Sequence, residues 1–338
     1  LENQLVSVLV LSRRRPARLR ALLASVAAQE YAPLEVRVLA NGCAETAALV
    51  RAEFPHVLLT ELPENAGCVA GRNRLAGEAR GEFLLFLDDD GELRAADIVS
   101  KLVAAARADA RVGVVSMALY NAASDEPTGW RRTLGKLPFA CYHASFAGGA
   151  CLMRAEAFRA AGGYDEAFTG FGEEFDLTVR LYAAGWAVLH FPDAAFHHHV
   201  EKTDEEWRLQ VSDGYAHLQY TIWRLYPAPW WFLASMKALA TQVWIDVRHH
   251  GGRHVIGEFA KSHVWAHRGG HVKRRVPLRA LELLYFAKYF RVASWDELER
   301  APRGLLRRVL LLRLRRKRLG VPKLPLPERP AASDTRRA

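Results

Sequence analysis

Residues 83–90 read Phe-Leu-Leu-Phe-Leu-Asp-Asp-Asp. Phe83–Leu87 is an all-apolar run that follows the helix-closing Gly81, and it predicts a strand buried on both faces. Three adjacent carboxylates after such a strand are costly unless something positive sits beside them. Hard divalent cations take oxygen ligands, and Mg²⁺ typically uses one or two carboxylates together with substrate phosphates. Residues i and i+2 of an extended segment project to one side. Asp88 and Asp90 can therefore serve one site while Asp89 points elsewhere; the plain alternative is a solvated acidic turn.

Moving toward the amino end, two periods alternate. Val6–Leu11 is a short apolar strand, and Pro16 opens a helix with Leu19, Leu22, Leu23 and Val26 on one face. Leu34–Leu39 and His56–Leu62 read as strands, Glu45–Glu53 and Gly67–Arg80 as helices. Strand and helix taking turns predict βαβ units and a parallel sheet covered on both faces. Ligands of such sheets sit beyond the carboxyl ends of the strands. Those ends carry Ser12–Arg15, Asn41-Gly42, Asn65-Ala66-Gly67 and the aspartates. Toward the carboxyl end come a helix over Ala95–Ala108, strands over Val112–Met117 and Gly148–Met153, and a helix over Gly172–Ala184. A strand over Trp186–Phe191 is ended by Pro192, and helical patterning runs from Asp204 to about Arg300.

The chain has 338 residues, half of them hydrophobic and a quarter charged, which excludes a disordered or fibrous protein. Its net charge of +10 lies entirely in residues 301–338, where 12 Lys/Arg face 2 Asp/Glu; the rest balances at 35 against 35. A neutral body with a basic tail says little about the chemistry and something about a docking surface. Four cysteines without C-x-x-C spacing argue against a metal cage or disulfide framework and fit a reducing compartment. No signal peptide or clean membrane span is legible; Ala228–Val247 is interrupted by Lys237, Gln242 and Asp246.

Three further segments carry chemistry. Gly172-Glu-Glu-Phe-Asp-Leu177 places carboxylates in the first turn of a helix, where the dipole favours them. Either Glu173 or Glu174 could act as a general base, or both could simply serve the helix end. His197-His198-His199 ends a strand, and one of these with Asp90 could complete a metal shell. Asn65–Asn73 brings glycines to a helix start followed by Arg72, a pattern suited to phosphate, without the G-K-[ST] of a Walker loop.

In this order the pieces resemble the family 2 glycosyltransferases, including rhamnosyltransferase-like members, from Val6 to about Val200. Val6–Pro16 resembles the family's opening strand and T-x-N-R-P-like turn, and Asn41-Gly42 its D-N-G-S. Asn65–Asn73 resembles its N-x-G-x-x-x-x-R-N, and Leu87–Asp90 its D-x-D-type site. Phe146–Asp165 is similar to F-x-G-G-x-x-L-x-R … G-G-[FY]-D-E, Gly172–Leu177 to G-E-D-x-D-L, and Pro192–His199 to P-x-A-x-x-x-H-H. Ala40, Arg14 and Glu174 depart from the pattern, standing where the family usually has Asp, Asn and Asp.

The resemblance implies a GT-A nucleotide-sugar-binding fold, Rossmann-like and mostly parallel, over residues 1–203. A helical region (204–300) and a basic tail (301–338, disordered from Pro322) follow. It implies an inverting transfer from a nucleotide-diphosphate sugar to a glycan, glycolipid or other hydroxyl acceptor. Glu174, with Glu173 beside it, is the implied base; Asp90 and His198 hold Mg²⁺ or Mn²⁺. Ser12, Arg15, Asn41, Asn65, Gly67, Arg72, Asp88, Asp89 and Gly149 surround the donor; Trp130 and Asp176 lie toward the acceptor.

Aromatic and basic content in the helical region (Trp223, Trp230, Trp231, Trp244, Trp265) and the Arg-rich Leu305–Leu319 suggest a peripheral contact with an anionic membrane. The expected location is cytoplasmic, at the inner face. A packed helical subdomain with a solvated tail is the plain alternative. A sugar-phosphate nucleotidyltransferase would need a glycine-rich loop after the first strand, and Ser12–Pro16 has none. A nucleic-acid binder would explain the tail but not carboxylates at the strand ends.

Overall fold

The computed structural model describes residues 3–127, 137, 139–199, 204–250, 273–290 and 292–311. Trp130, Trp265 and the tail beyond Leu311, including the expected disordered end, lie outside the described residues.

Among the described residues, one nine-stranded sheet organises the fold. Its strands are β1 (Val6–Ser12), β2 (Leu34–Asn41), β3 (Leu58–Leu62), β4 (Phe83–Asp88), β5 (Gly91–Glu92), β6 (Val112–Asn121), β7 (Cys141–His143), β8 (Ala150–Arg154) and β9 (Ala187–His198). The order is β3-β2-β1-β4-β8-β6-β9-β5, with β7 also paired to β9. The first half is parallel, as the βαβ pattern predicts: β1 pairs with both β2 and β4, and β2 with β3. The second half is mixed, because β8 runs antiparallel to β4 and β6, and β5 and β7 run antiparallel to β9.

Helix α1 (Pro16–Ala27) buries Leu19, Leu22, Leu23 and Val26, the face read from the sequence. Helices α2 (Ala44–Glu53), α3 (Cys68–Glu78) and α4 (Ile98–Ala108) follow their strands. The short α5 (Ala155–Ala161) has no counterpart in the sequence reading. It is followed by α6 (Glu173–Ala183), α7 (Asp204–Leu225) and α8 (Trp230–His250), and by helices over Leu278–Tyr289, Trp295–Glu299 and Leu305–Leu311. The later helices are not set apart from the sheet. Tyr220, Leu225, Leu281 and Leu284 are buried in the same apolar cluster as Val8, Leu85 and Leu177. Leu305, Leu306 and Val309 are buried there too, so the apolar face of the last described helix meets protein. None of the described helices is long and apolar enough to cross a membrane.

Pro192 does not end β9 as expected. The register against β6 skips from Met117↔Phe191 to Ala118↔Ala195, and the resulting bulge absorbs the proline, which has no N–H to give a ladder. The strand then continues through His197 and His198, carrying them along β6 to the carboxyl end of β4.

The loop entering β4 is latched by a buried acid. Glu35 on β2 accepts from Ser7 Oγ (2.8 Å), Arg37 Nε (2.9 Å) and Arg80 Nε (2.6 Å), while Gly81 N donates to Ser7 Oγ (2.8 Å). Burial opposes the charge, but these donors prevail and hold the Glu35 carboxyl at about 2, below its reference value of 4.5. A depressed carboxylate contributes stability that is present above its unfolded pKa and lost as pH falls toward the folded one. Glu35→Gln is therefore expected to lower stability by on the order of 2 kcal/mol at neutral pH. The deficit should shrink between pH 4.5 and 2 in urea titrations. A pH-independent deficit would mean that the charge is not what latches the loop.

Candidate functional site

Strand order reverses between β1 and β4, since β2 and β3 lie on one side of β1 and β4 on the other. The crevice at such a switch point is where open α/β sheets bind ligands. The register Leu11↔Asp88 brings Ser12–Arg15 against the aspartates there. Asp89 turns back into this corner. It accepts from Arg13 N (3.2 Å) and Arg15 Nη1 (3.2 Å), and burial raises its pKa. Arg15 also pairs with Asp90 Oδ2. Arg15 thus appears as a charge partner of the aspartates, and Ser12 is fully buried behind them.

The other two aspartates face a common point, as the i, i+2 spacing predicts. The ligand atoms of Asp88, Asp90 and His198 all lie within 4.8 Å of one another. His198 reaches this point because Gly91 pairs with it on β9, and a Cβ at Gly91 would stand 2.2 Å from the Phe196 ring. The strand alternation turns His197 the other way, onto Asp125 (3.1 Å) and the face of Tyr120. His198 Nε2 lies 2.7 Å from Asp90 Oδ1. Burial works against a charge on Asp90, yet His198 and Arg15 hold its pKa below the usual carboxylate range. Two hard carboxylate oxygens and one imidazole nitrogen are a donor set that Mg²⁺ or Mn²⁺ accepts, so the residues fit a divalent cation.

Arg72, from the first turns of α3, ties this cluster to the acidic helix start. Its Nη2 meets Asp88 Oδ1 at 2.8 Å and its Nη1 meets Glu173 Oε1 at 3.2 Å. Glu173 is buried; its desolvation, and next the charge of Glu174, push its pKa up to about 8 against the pull of Arg72. Its Oε2 is enclosed with no hydrogen-bond partner. Glu174 is the more open of the pair.

Consecutive glycines bound the gap between the two groups. A Cβ on Gly148 would lie 2.8 Å from Glu174 Oε1 and 3.0 Å from Arg72 Nη1, and one on Gly149 would lie 1.8–2.1 Å from the Asp88 carboxylate atoms. Asp88 and Glu174 therefore pack against adjacent, buried glycine backbone. Gly149→Ala is expected to push the Asp88 carboxylate out of line. Overpacking of this kind costs about 1–3 kcal/mol, so a lower melting temperature should accompany weaker Mn²⁺ binding. Unchanged values of both would mean that Asp88 has room the geometry does not indicate.

Asn41 and Asn65 build the neighbouring wall. Asn41 Nδ2 donates to Asn65 Oδ1 (2.8 Å) and Asn41 Oδ1 accepts from Ala66 N (2.8 Å), fixing the turn at Gly67, whose φ of 84° lies in the left-handed region. Both side chains are engaged in holding this loop at the start of α3.

Asp176, expected toward the acceptor, is placed elsewhere. It has no exposed surface, and its oxygens meet Arg180 Nη2 (2.7 Å) and Arg224 Nη2 (2.6 Å). The correction follows from the helix period: two residues after Glu174, it points toward the protein interior instead of the cleft. Sequence reasoning missed its partner, since Arg224 lies 48 residues downstream with no motif around it.

Residues 7–160 match the family model described as Glycosyl transferase family 2. Over that stretch the chain is similar to the family 2 glycosyltransferases. Among curated relatives, it is 26% identical over 249 residues to the O-antigen biosynthesis protein RfbC of Myxococcus xanthus, covering 67% of this chain and 19% of that one. It is 31% identical over 204 residues to an N-acetylglucosaminyltransferase of Rhizobium meliloti, covering 53% and 47%. The chain thus spans about a fifth to a half of the length of these relatives.

Among solved structures, a mannosyltransferase of Pyrobaculum calidifontis in complex with GDP-Man and Mn²⁺ superposes with a TM-score of 0.53 at 22% identity, covering 83% of this chain and 78% of that one. S. aureus TarS in complex with UDP-GlcNAc superposes at 0.61 with 14% identity, covering 89% and 91%. The architecture is the GT-A fold, as the sequence resemblance implied.

Proposed function

We propose that the chain transfers a sugar from a nucleoside-diphosphate donor to an acceptor hydroxyl, with inversion and with a divalent cation, in glycan assembly. One observation carries this reading: Asp88, Asp90 and His198 converge at the switch point, and Arg72 joins them across one cleft to the Glu173–Glu174 helix start. Asp88, Asp90 and His198 would hold the cation, which when bound would neutralise charge building on the leaving diphosphate. Arg72 orients Asp88 from behind. Gly148 and Gly149 let Glu174, Arg72 and Asp88 close onto the backbone between the two acidic groups.

Glu174 takes the proton of the attacking hydroxyl. A base must be ionised and within reach of its proton. Burial and the Glu174 charge favour the protonated form of Glu173, which is enclosed, whereas Glu174 is the more exposed of the pair. A single displacement from the face opposite the diphosphate inverts the anomeric centre. The ligands bound by the structural neighbours, GDP-Man with Mn²⁺ and UDP-GlcNAc, support a nucleotide sugar as donor class.

Release of nucleoside diphosphate from a panel of nucleotide sugars that includes these two, with Mn²⁺ or with EDTA, tests the reading. Cation-dependent release supports it. Nucleic-acid binding that survives EDTA and falls steeply with salt, without any release, would replace it with a basic binder.

A cytoplasmic enzyme peripheral to an anionic membrane is the location we propose. Phe232, Met236 and Val243 share one side of α8 and, with Trp244, are exposed, which supports such a contact. Pelleting with phosphatidylserine vesicles should fall when Phe232 and Trp244 become serine; unchanged pelleting would remove the membrane from the proposal.

A further inference from the structure

The turn that delivers Glu173 and Glu174, itself beyond the matched residues 7–160, is held by α7. Gly170, Phe171 and Gly172 carry φ values of 132°, 61° and 106° in succession. A phenylalanine at +61° is in a sparsely populated conformation that persists only where its surroundings over-determine it. Those surroundings come from α7. His217 Nδ1 lies 2.7 Å from the Phe171 carbonyl oxygen and donates to it. The His217 ring packs on Phe168 (centroids 4.8 Å apart), and its Cβ would stand 3.3 Å from a Cβ at Gly172.

Two turns further along α7, Arg224 is buried between two carboxylates. It reaches Asp165 Oδ2 at 2.9 Å and Asp176 Oδ1 at 2.6 Å. Asp176 also binds Arg180, whose Nη1 donates to the Gly163 carbonyl at 2.6 Å, and Tyr220 OH donates to Asp165 at 3.1 Å. From the other side, Asn73 on α3 brackets Tyr164, accepting from its N–H and donating to its carbonyl, both at 2.9 Å. The loop after α5, the strained turn and the first turn of α6 are thus clamped between α3, which carries Arg72, and α7.

We infer that α7 belongs to the catalytic unit, with His217 and Arg224 as positioning residues that set where the Glu174 carboxylate stands relative to the cation cluster. His217 fixes the turn before the helix, and Arg224 fixes the rotation of the helix through Asp176. This rests on Glu174 as the base, and the experiment separates the two ideas.

His217→Phe keeps the ring against Phe168 and removes the donor; His217→Gln restores an N–H donor. Because loss of a buried cation can unfold the chain, Arg224→Lys is the companion variant. In full-length protein, amide hydrogen exchange over 171–176 should accelerate by about tenfold or more in His217→Phe, while β1 and β4 keep their protection. With the nucleotide sugar that gives release, kcat should fall about 10–100-fold with the donor KM within about threefold, and His217→Gln should recover most of it. Added to Glu174→Gln, His217→Phe should cost little more, because both act through one group.

Unchanged exchange over 171–176 in both His217→Phe and Arg224→Lys overturns the inference whether or not turnover is found. If Glu174→Gln turns over normally while His217→Phe still loosens 171–176, the base assignment falls and the clamp stands. Full additivity of the two substitutions would mean that α7 acts on something other than Glu174.

Discussion

Glu174→Gln is expected to lower turnover of the nucleotide-sugar donor about 10²–10⁴-fold, the usual contribution of a positioned general base. Donor and cation binding should survive, since Glu174 lies on the α6 side of the glycines and the cation cluster on the β4 side. The amide matches the carboxylate in shape, so packing against Gly148 is preserved while the proton acceptor is lost. Glu173→Gln should behave differently. Burial and the neighbouring Glu174 charge push Glu173 toward its protonated form, so its amide should retain most of the rate. The measurement is kcat for nucleoside-diphosphate release against pH in the two variants. Normal turnover in Glu174→Gln with loss in Glu173→Gln would exchange their roles.

Asp90→Asn should weaken Mn²⁺ binding by at least about 10–100-fold, the range already seen when only a supporting group of a metal ligand is lost. The change removes the charge that His198 and Arg15 stabilise and leaves the side chain's shape intact. Asp89→Asn is the internal comparison. Its carboxylate faces Arg13 N and Arg15, so cation affinity should change little while thermal stability falls. Titration of Mn²⁺ by electron paramagnetic resonance reads both variants directly. Equal losses in Asp89→Asn and Asp90→Asn would mean that the triplet acts as a diffuse acidic patch instead of a two-carboxylate site.

Much of this was legible in the chain itself. The alternation of apolar runs with amphipathic stretches specified β1–α1–β2–α2–β3–α3–β4, because periods of about 2 and 3.6 are local properties. The i, i+2 spacing separated Asp88 and Asp90 from Asp89 for the same reason, and the order of motifs carried the resemblance to family 2 glycosyltransferases. Other features were not local. That β8 runs antiparallel between β4 and β6 depends on which strands meet, and an apolar run looks alike in either direction. That β9 passes through Pro192 depends on a bulge against β6. The pairing of Glu173 with Arg72 spans 101 residues, and that of Asp176 with Arg224 spans 48.

The sequence alone therefore determined the parallel half of the sheet and the residue types gathered at its carboxyl edge. Tertiary structure alone decided which glutamate is enclosed, that Asp176 is turned inward, and that α7 grips the turn before Glu173. Burial and ion pairing are set by through-space neighbours, and those neighbours come together only when distant parts of the chain return to one place.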